Sequence, residues 1–133
     1  MPTFTVYGHP ATKGSTVSFM GEDGRIITKA DCKSLAAWSQ AVAWAARAER
    51  VKCTPKPFGV RLSITFMFQK PKSVKDRTHH VVRPDIDKGL RAALDSLSNG
   101  IAYDDDSQVI EIHASKCYGP ETLTTITITE VPP

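Results

Sequence analysis

Apolar and polar positions alternate over residues 3–7 (TFTVY) and again over 58–68 (FGVRLSITFMF), the period-two pattern of strands with one buried face. Residues 107–118 (SQVIEIHASKCY) and 122–131 (TLTTITITEV) predict two closing strands joined by a turn at GPE. TVSFM and RIITK flank the Gly/Asp-rich GEDG, which predicts a β-hairpin. From Ser34 the period becomes helical. Leu35, Trp38, Val42 and Ala45 recur along one side, Ser34 is placed to cap the helix, and CTPKP (53–57) ends it. Trp44 falls opposite that stripe, as an exposed aromatic, a second buried face or a subunit contact. A second helix is predicted over 86–98, followed by the turn SNG. Leu90, Leu94 and Leu97 form its expected buried stripe, and Asp87, Arg91 and Asp95 line one polar edge. Strands on both sides of two helices predict an α+β fold, one small domain over residues 1–133. It should hold a mixed, mostly antiparallel β-sheet layered against the two helices.

Length and composition agree with a single globular unit: 133 residues, 41% apolar and 23% charged. No apolar run approaches the roughly 18–20 residues that cross a bilayer, so no membrane partner is expected. The N-terminal stretch does not read as a signal peptide. Cys32, Cys53 and Cys117 are scattered without CxxC spacing, which fits a reducing compartment. A cytoplasmic location is expected.

Charge changes the picture more. The net charge is +3, from 17 Lys+Arg against 14 Asp+Glu; without aspartates 85, 87, 104, 105 and 106 the balance is 17 − 9 = +8. A basic body attracts polyanions, and a compact acidic spot attracts a divalent cation. Together they point to chemistry on nucleic acid. Residues 69–83 (QKPKSVKDRTHHVVR) carry Lys70, Lys72, Lys75, Arg77 and Arg83 against Asp76, with no apolar periodicity, and predict an exposed, mobile basic loop.

Pro84 favours an extended Arg83, so Asp85 and Asp87 are expected to point to one side with Ile86 turned into the core. Two such carboxylates repel unless a cation lies between them. YDDDSQV adds Asp104, Asp105 and Asp106 ahead of a strand. The structural alternatives are a helix N-cap for one of the first pair and a solvated turn for Asp104 or Asp105. If the two acidic segments meet, their hard oxygens select Mg²⁺ or Mn²⁺ over Zn²⁺. The Gly and Glu positions of an EF-hand loop are missing.

The stretch RPDIDKGLRAALDSLSNGIAYDDDSQV (83–109) resembles the RusA family of Holliday junction resolvases of bacteria, phages and prophages, whose core reads [KR]-P-D-[IL]-D-N-L-x-K-x-x-x-D-x-L with a later D-D-x-Q-V. VYGHPATKGS is similar to the family's G-x-P-x-x-K-G segment. The resemblance implies a homodimeric, Mg²⁺-dependent endonuclease, with Mn²⁺ as a substitute, that cuts a four-way DNA junction symmetrically. It places the metal-binding carboxylates on Asp85, Asp87 and Asp106, with Asp105 assisting. Asp95 matches a further acidic position. Two departures stand out. Lys88 replaces the family's Asn, and Arg91 stands where the family has a catalytic Lys. Arginine grips a phosphate oxygen but donates no proton near neutral pH, so Lys88 or Lys13 would take part of that role. Lys13, Lys70, Lys72, Lys75, Arg77, His80, Arg83 and Lys88 are the expected DNA-facing side chains. The alternative is a branched-DNA-binding protein with weak or absent catalysis.

Overall fold

The computed structural model describes residues 1–12, 16–20, 26–30 and 32–133. In chain order these form β1 (Thr3–Tyr7), β2 (Thr16–Met20), β3 (Ile26–Ala30), α1 (Cys32–Ala48), β4 (Gly59–Gln69), α2 (Ile86–Leu97), a 3₁₀ turn (Asp106–Gln108), β5 (Val109–Gly119) and β6 (Leu123–Val131). The main sheet has the order β1-β6-β4-β5. β6 pairs antiparallel with β1 and β4, whereas β5 runs parallel to β4. β2 and β3 pair antiparallel as a separate two-stranded sheet, and the GEDG turn expected between them lies outside the described residues. The α+β class and the two helices are as the sequence predicts.

Alternation supplies the core. Along β4, Val60, Leu62, Ile64, Phe66 and Phe68 are buried; Phe4 and Val6 of β1 and Ile126 and Ile128 of β6 join them. Trp38, Val42 and Ala46 of α1 and Ala92, Ala93 and Leu97 of α2 cover this face. The helices touch through a Ser39–Ser96 hydroxyl pair at 2.8 Å.

Several expectations are corrected. Helix α1 begins at Cys32, so Ser34 lies inside it and is not its cap. Leu90 and Leu94 are only half-buried; the buried face of α2 is Gly89, Ala92, Ala93, Ser96 and Leu97. Small residues prevail there because the helix lies close against the sheet. A Cβ on Gly89 would stand 3.2 Å from the Phe66 ring. Ile86, expected to point inward, is 37% exposed, because helical geometry starts at that residue and replaces the strand-like alternation. Trp44 is exposed.

The end of α1 has an unusual residue. Arg50 N–H donates to Arg47 O and Val51 N–H to Ala46 O, each at 3.0 Å, the paired bonds of a Schellman motif. The left-handed position of that motif is usually glycine; here it is Arg50, at φ 56°.

Candidate active site

Asp85 is the N-cap residue of α2, extended at φ −69° and ψ 141°, yet its side chain caps no backbone N–H. It stands 3.7 Å from Lys88 Nζ. Asp87 lies in the first turn, where a carboxylate suits the helix dipole. Asp85, Asp87 and Arg91 are all exposed. Asp87 and Arg91, four residues apart, share the face of α2 turned away from the core.

The basic loop lies beside this end of α2. Lys70, Lys72, Lys75 and Arg83 are exposed and Arg77 is half-buried. Lys70 Nζ sits 5.8 Å from the centroid of the Tyr118 ring. The loop is tied down at its far end. Lys116 Nζ, from β5, donates to Val82 O at 2.9 Å and Pro84 O at 3.0 Å. His80 is inserted beneath the loop, stacked on Phe68 at 4.1 Å and edge-on to Tyr118 at 5.1 Å. With only 7% of its surface exposed, His80 is a packing residue, which corrects its place among the DNA-facing side chains. Burial, followed by the charges of Lys116 and Arg77, holds its imidazole below the usual histidine range. The basic loop is thus anchored rather than free along its length. Lys13 lies outside the described residues.

The second acidic segment is built differently. Asp105 caps the 3₁₀ turn, accepting from the Ser107 hydroxyl and from Ser107 N–H at 3.2 Å. These bonds, with Lys56 nearby, hold its carboxyl below the ordinary range. Gln108 completes a capping box: its Oε1 accepts from Asp104 N–H at 2.9 Å and Asp105 N–H at 3.1 Å. Its Nε2 donates to Thr54 O at 3.0 Å and Phe58 O at 3.3 Å. Asp104 accepts from the Cys53 thiol at 3.4 Å. Burial, then that bond and the charge of Asp104, push the thiol up. Asp106 is exposed and lies beside the buried Tyr103, whose phenol is pushed up by burial and then by the Asp106 charge. The Tyr103 hydroxyl donates to Leu94 O at 3.0 Å.

That last bond fixes where the second segment sits. Leu94 is seven residues beyond Asp87, about 10 Å along the helix axis. Asp85 and Asp87 therefore occupy one end of α2, and Asp106 stands toward the other. Parallel pairing of β4 and β5 requires this separation, because α2 must carry the chain back along the sheet before β5 begins. The donors suit a hard cation in kind: exposed carboxylates, with no thiolate in the set. Their placement in one chain does not suit it. Among the described residues no three Asp, Glu, His or Cys side chains stand close enough to share an ion.

Tyr103, Lys116 and the 53–58 segment escaped sequence reasoning as parts of this region. Gln108 fell within the D-D-x-Q-V match but was given no role there, although D-x-x-Q over 105–108 is a capping-box pattern.

Comparison with known proteins assigns the chemistry to this scaffold. A family model described as endodeoxyribonuclease RusA matches residues 16–129, a span that holds both helices and both acidic segments. The class is therefore a nuclease acting within DNA. More narrowly, the chain belongs to the RusA family, which groups endonucleases that resolve Holliday junctions. It is also 30% identical over 138 residues to YqaN of Bacillus subtilis (strain 168), described as uncharacterized; the match covers 96% of this chain and 95% of that protein.

Proposed function

We infer that the protein is a structure-specific endodeoxyribonuclease that resolves four-way junctions in recombination and repair. It would act as a homodimer through paired, symmetric phosphodiester hydrolysis. Bacterial and phage or prophage members share this chemistry, and a reducing, cytoplasmic setting suits the three scattered cysteines. The observation that carries this reading is the exposed row of Asp85, Asp87 and Arg91 on α2 beside an anchored basic loop, inside the span of the family match. Lys70, Lys72, Lys75, Arg77 and Arg83 would hold junction arms through phosphates, giving salt-dependent affinity with little reading of base edges. Arg91 would grip a non-bridging oxygen of the scissile phosphate and stabilise its pentavalent form. Lys88 would balance Asp85 until substrate arrives. Asp105 would hold the acidic turn in shape and orient water.

Mg²⁺, with Mn²⁺ as a substitute, is the cation these oxygens favour. Asp85, Asp87 and Asp106 would hold it, supplying positive charge to the phosphodiester. A single chain does not assemble that set.

The test is a labelled synthetic four-way junction incubated with the protein and Mg²⁺, beside a fork and a linear duplex. Paired incisions confined to the junction are expected. Equal cutting of all three substrates would remove junction specificity. A second reading, a branched-DNA binder with little catalysis, is favoured by Arg91 in place of lysine and by the separated carboxylates. Tight binding in EDTA without incision in Mg²⁺ would establish it.

A further inference from the structure

The start of α2 is held from outside the helix. Asp85 makes no side-chain cap, and its carboxylate stands 3.7 Å from Lys88 Nζ. The backbone just ahead of it is gripped by β5. Lys116 Nζ donates to Val82 O at 2.9 Å and to Pro84 O at 3.0 Å. Pro84 O belongs to the planar peptide unit that ends on the Asp85 nitrogen, so this second bond reaches the backbone of the carboxylate residue itself. Two acceptors on neighbouring peptide units fix the direction of the segment as well as its position.

The sheet accounts for where Lys116 stands. It lies opposite Phe66 in the parallel β4–β5 ladder, and Phe66 is the ring that the Gly89 backbone approaches in the first turn of α2. Strand, ring and helix are thus set at one level, with the half-buried lysine beside them. Stability alone does not favour a lysine there, because a cation ahead of a helix N-terminus faces the positive end of the dipole. What the ammonium supplies is a pair of charge-assisted bonds, each roughly twice as strong as a neutral one.

We propose that Lys116 is a positioning residue for strand cleavage: by holding the Val82 and Pro84 carbonyls, it sets where the Asp85 and Asp87 carboxylates stand against the scissile phosphate. This rests on the nuclease reading above. Lys116 acts through the backbone of Asp85 and does not touch the substrate. Its effect on rate exceeds its share of stability, since a displacement of about 1 Å at a reacting group can cost about a hundredfold.

Lys116→Met keeps the apolar stem and removes the ammonium. Its cleavage of a four-way junction at saturating DNA should fall about tenfold or more. Junction affinity should stay within about twofold, with the same dependence on salt, because no phosphate contact is lost. Lys116→Arg keeps the charge and can fork onto both carbonyls, so it should recover most of the rate. A further readout needs no DNA. Gly89 N–H donates to Asp85 O at 3.2 Å and should exchange with solvent faster in Lys116→Met. The amide of Ile64, buried in the interior strand β4, should exchange as in wild type.

A wild-type rate in Lys116→Met would overturn the positioning role. So would a salt slope lowered by about one, the mark of a lost phosphate contact. Equal acceleration at Gly89 and Ile64 would reduce Lys116 to general stability and overturn it too. Unchanged Gly89 exchange would overturn the clamp whatever the protein cuts. A wild type that cuts nothing, with Gly89 still responding to Lys116→Met, would sink the nuclease reading and leave the clamp on Asp85 standing.

Discussion

The two acidic segments contain the same residue type and are used in opposite ways. At 104–106, Asp105 and Asp104 are occupied by the fold, accepting bonds from Ser107 and Cys53 while Gln108 fixes their backbone. At the start of α2, Asp85 sits at a helix N-cap without capping anything, and Asp87 is exposed beside it. A carboxylate engaged by backbone and hydroxyl donors is part of the architecture. One left in solvent beside a like charge is available for chemistry. Asp106 is the intermediate case, exposed but next to a buried phenol.

Substitutions sharpen the contrast. The largest effect is expected from Asp87→Asn: junction cleavage at saturating DNA should fall at least a hundredfold (roughly 3 kcal/mol of barrier), while the melting temperature stays unchanged. A large drop in Tm would make Asp87 structural and break the contrast. Gln108→Leu should act the other way round, destabilising by about 2–4 kcal/mol, because both the Asp104 and Asp105 amides and the Thr54 carbonyl lose a partner; urea unfolding reads it. Asp105→Ala should lower Tm modestly, and Asp105→Asn should restore it, since asparagine caps as well as aspartate. Loss of cleavage in the stable Asn variant would give Asp105 a chemical part too. The smallest effect concerns pH. His80 favours its neutral form when folded, so its contribution is complete above the ordinary histidine pKa and is lost as pH falls toward the lower folded value. Tm of wild type should decline through mildly acidic pH, and His80→Phe should flatten that slope.

Much of the fold was legible because alternation is a strong signal. β1 matches its predicted span, β4 is displaced by one residue, and α2 ends one residue short. What periodicity does not encode is strand order. Nothing in FGVRLSITFMF or SQVIEIHASKCY says that these strands run parallel, and that single fact sends the two acidic segments to different ends of α2. The leucine stripe misled for a related reason: volume at the interface was set by the Phe66 ring, so Gly89 and the alanines were buried and Leu90 and Leu94 were left at the margin. His80 was read by composition, as one member of a basic run, when its stacking on Phe68 depends on a long-range contact.

Arg50 carries a consequence for anyone who works with this protein. It holds a backbone conformation that glycine adopts at little cost, so α1 closes with a conformational penalty of about 1 kcal/mol. Arg50→Gly should therefore yield a hardier variant whose improvement lies away from Asp85, Asp87 and Arg91. Such a background would tolerate the damaging substitutions above and allow their chemistry to be measured on folded material.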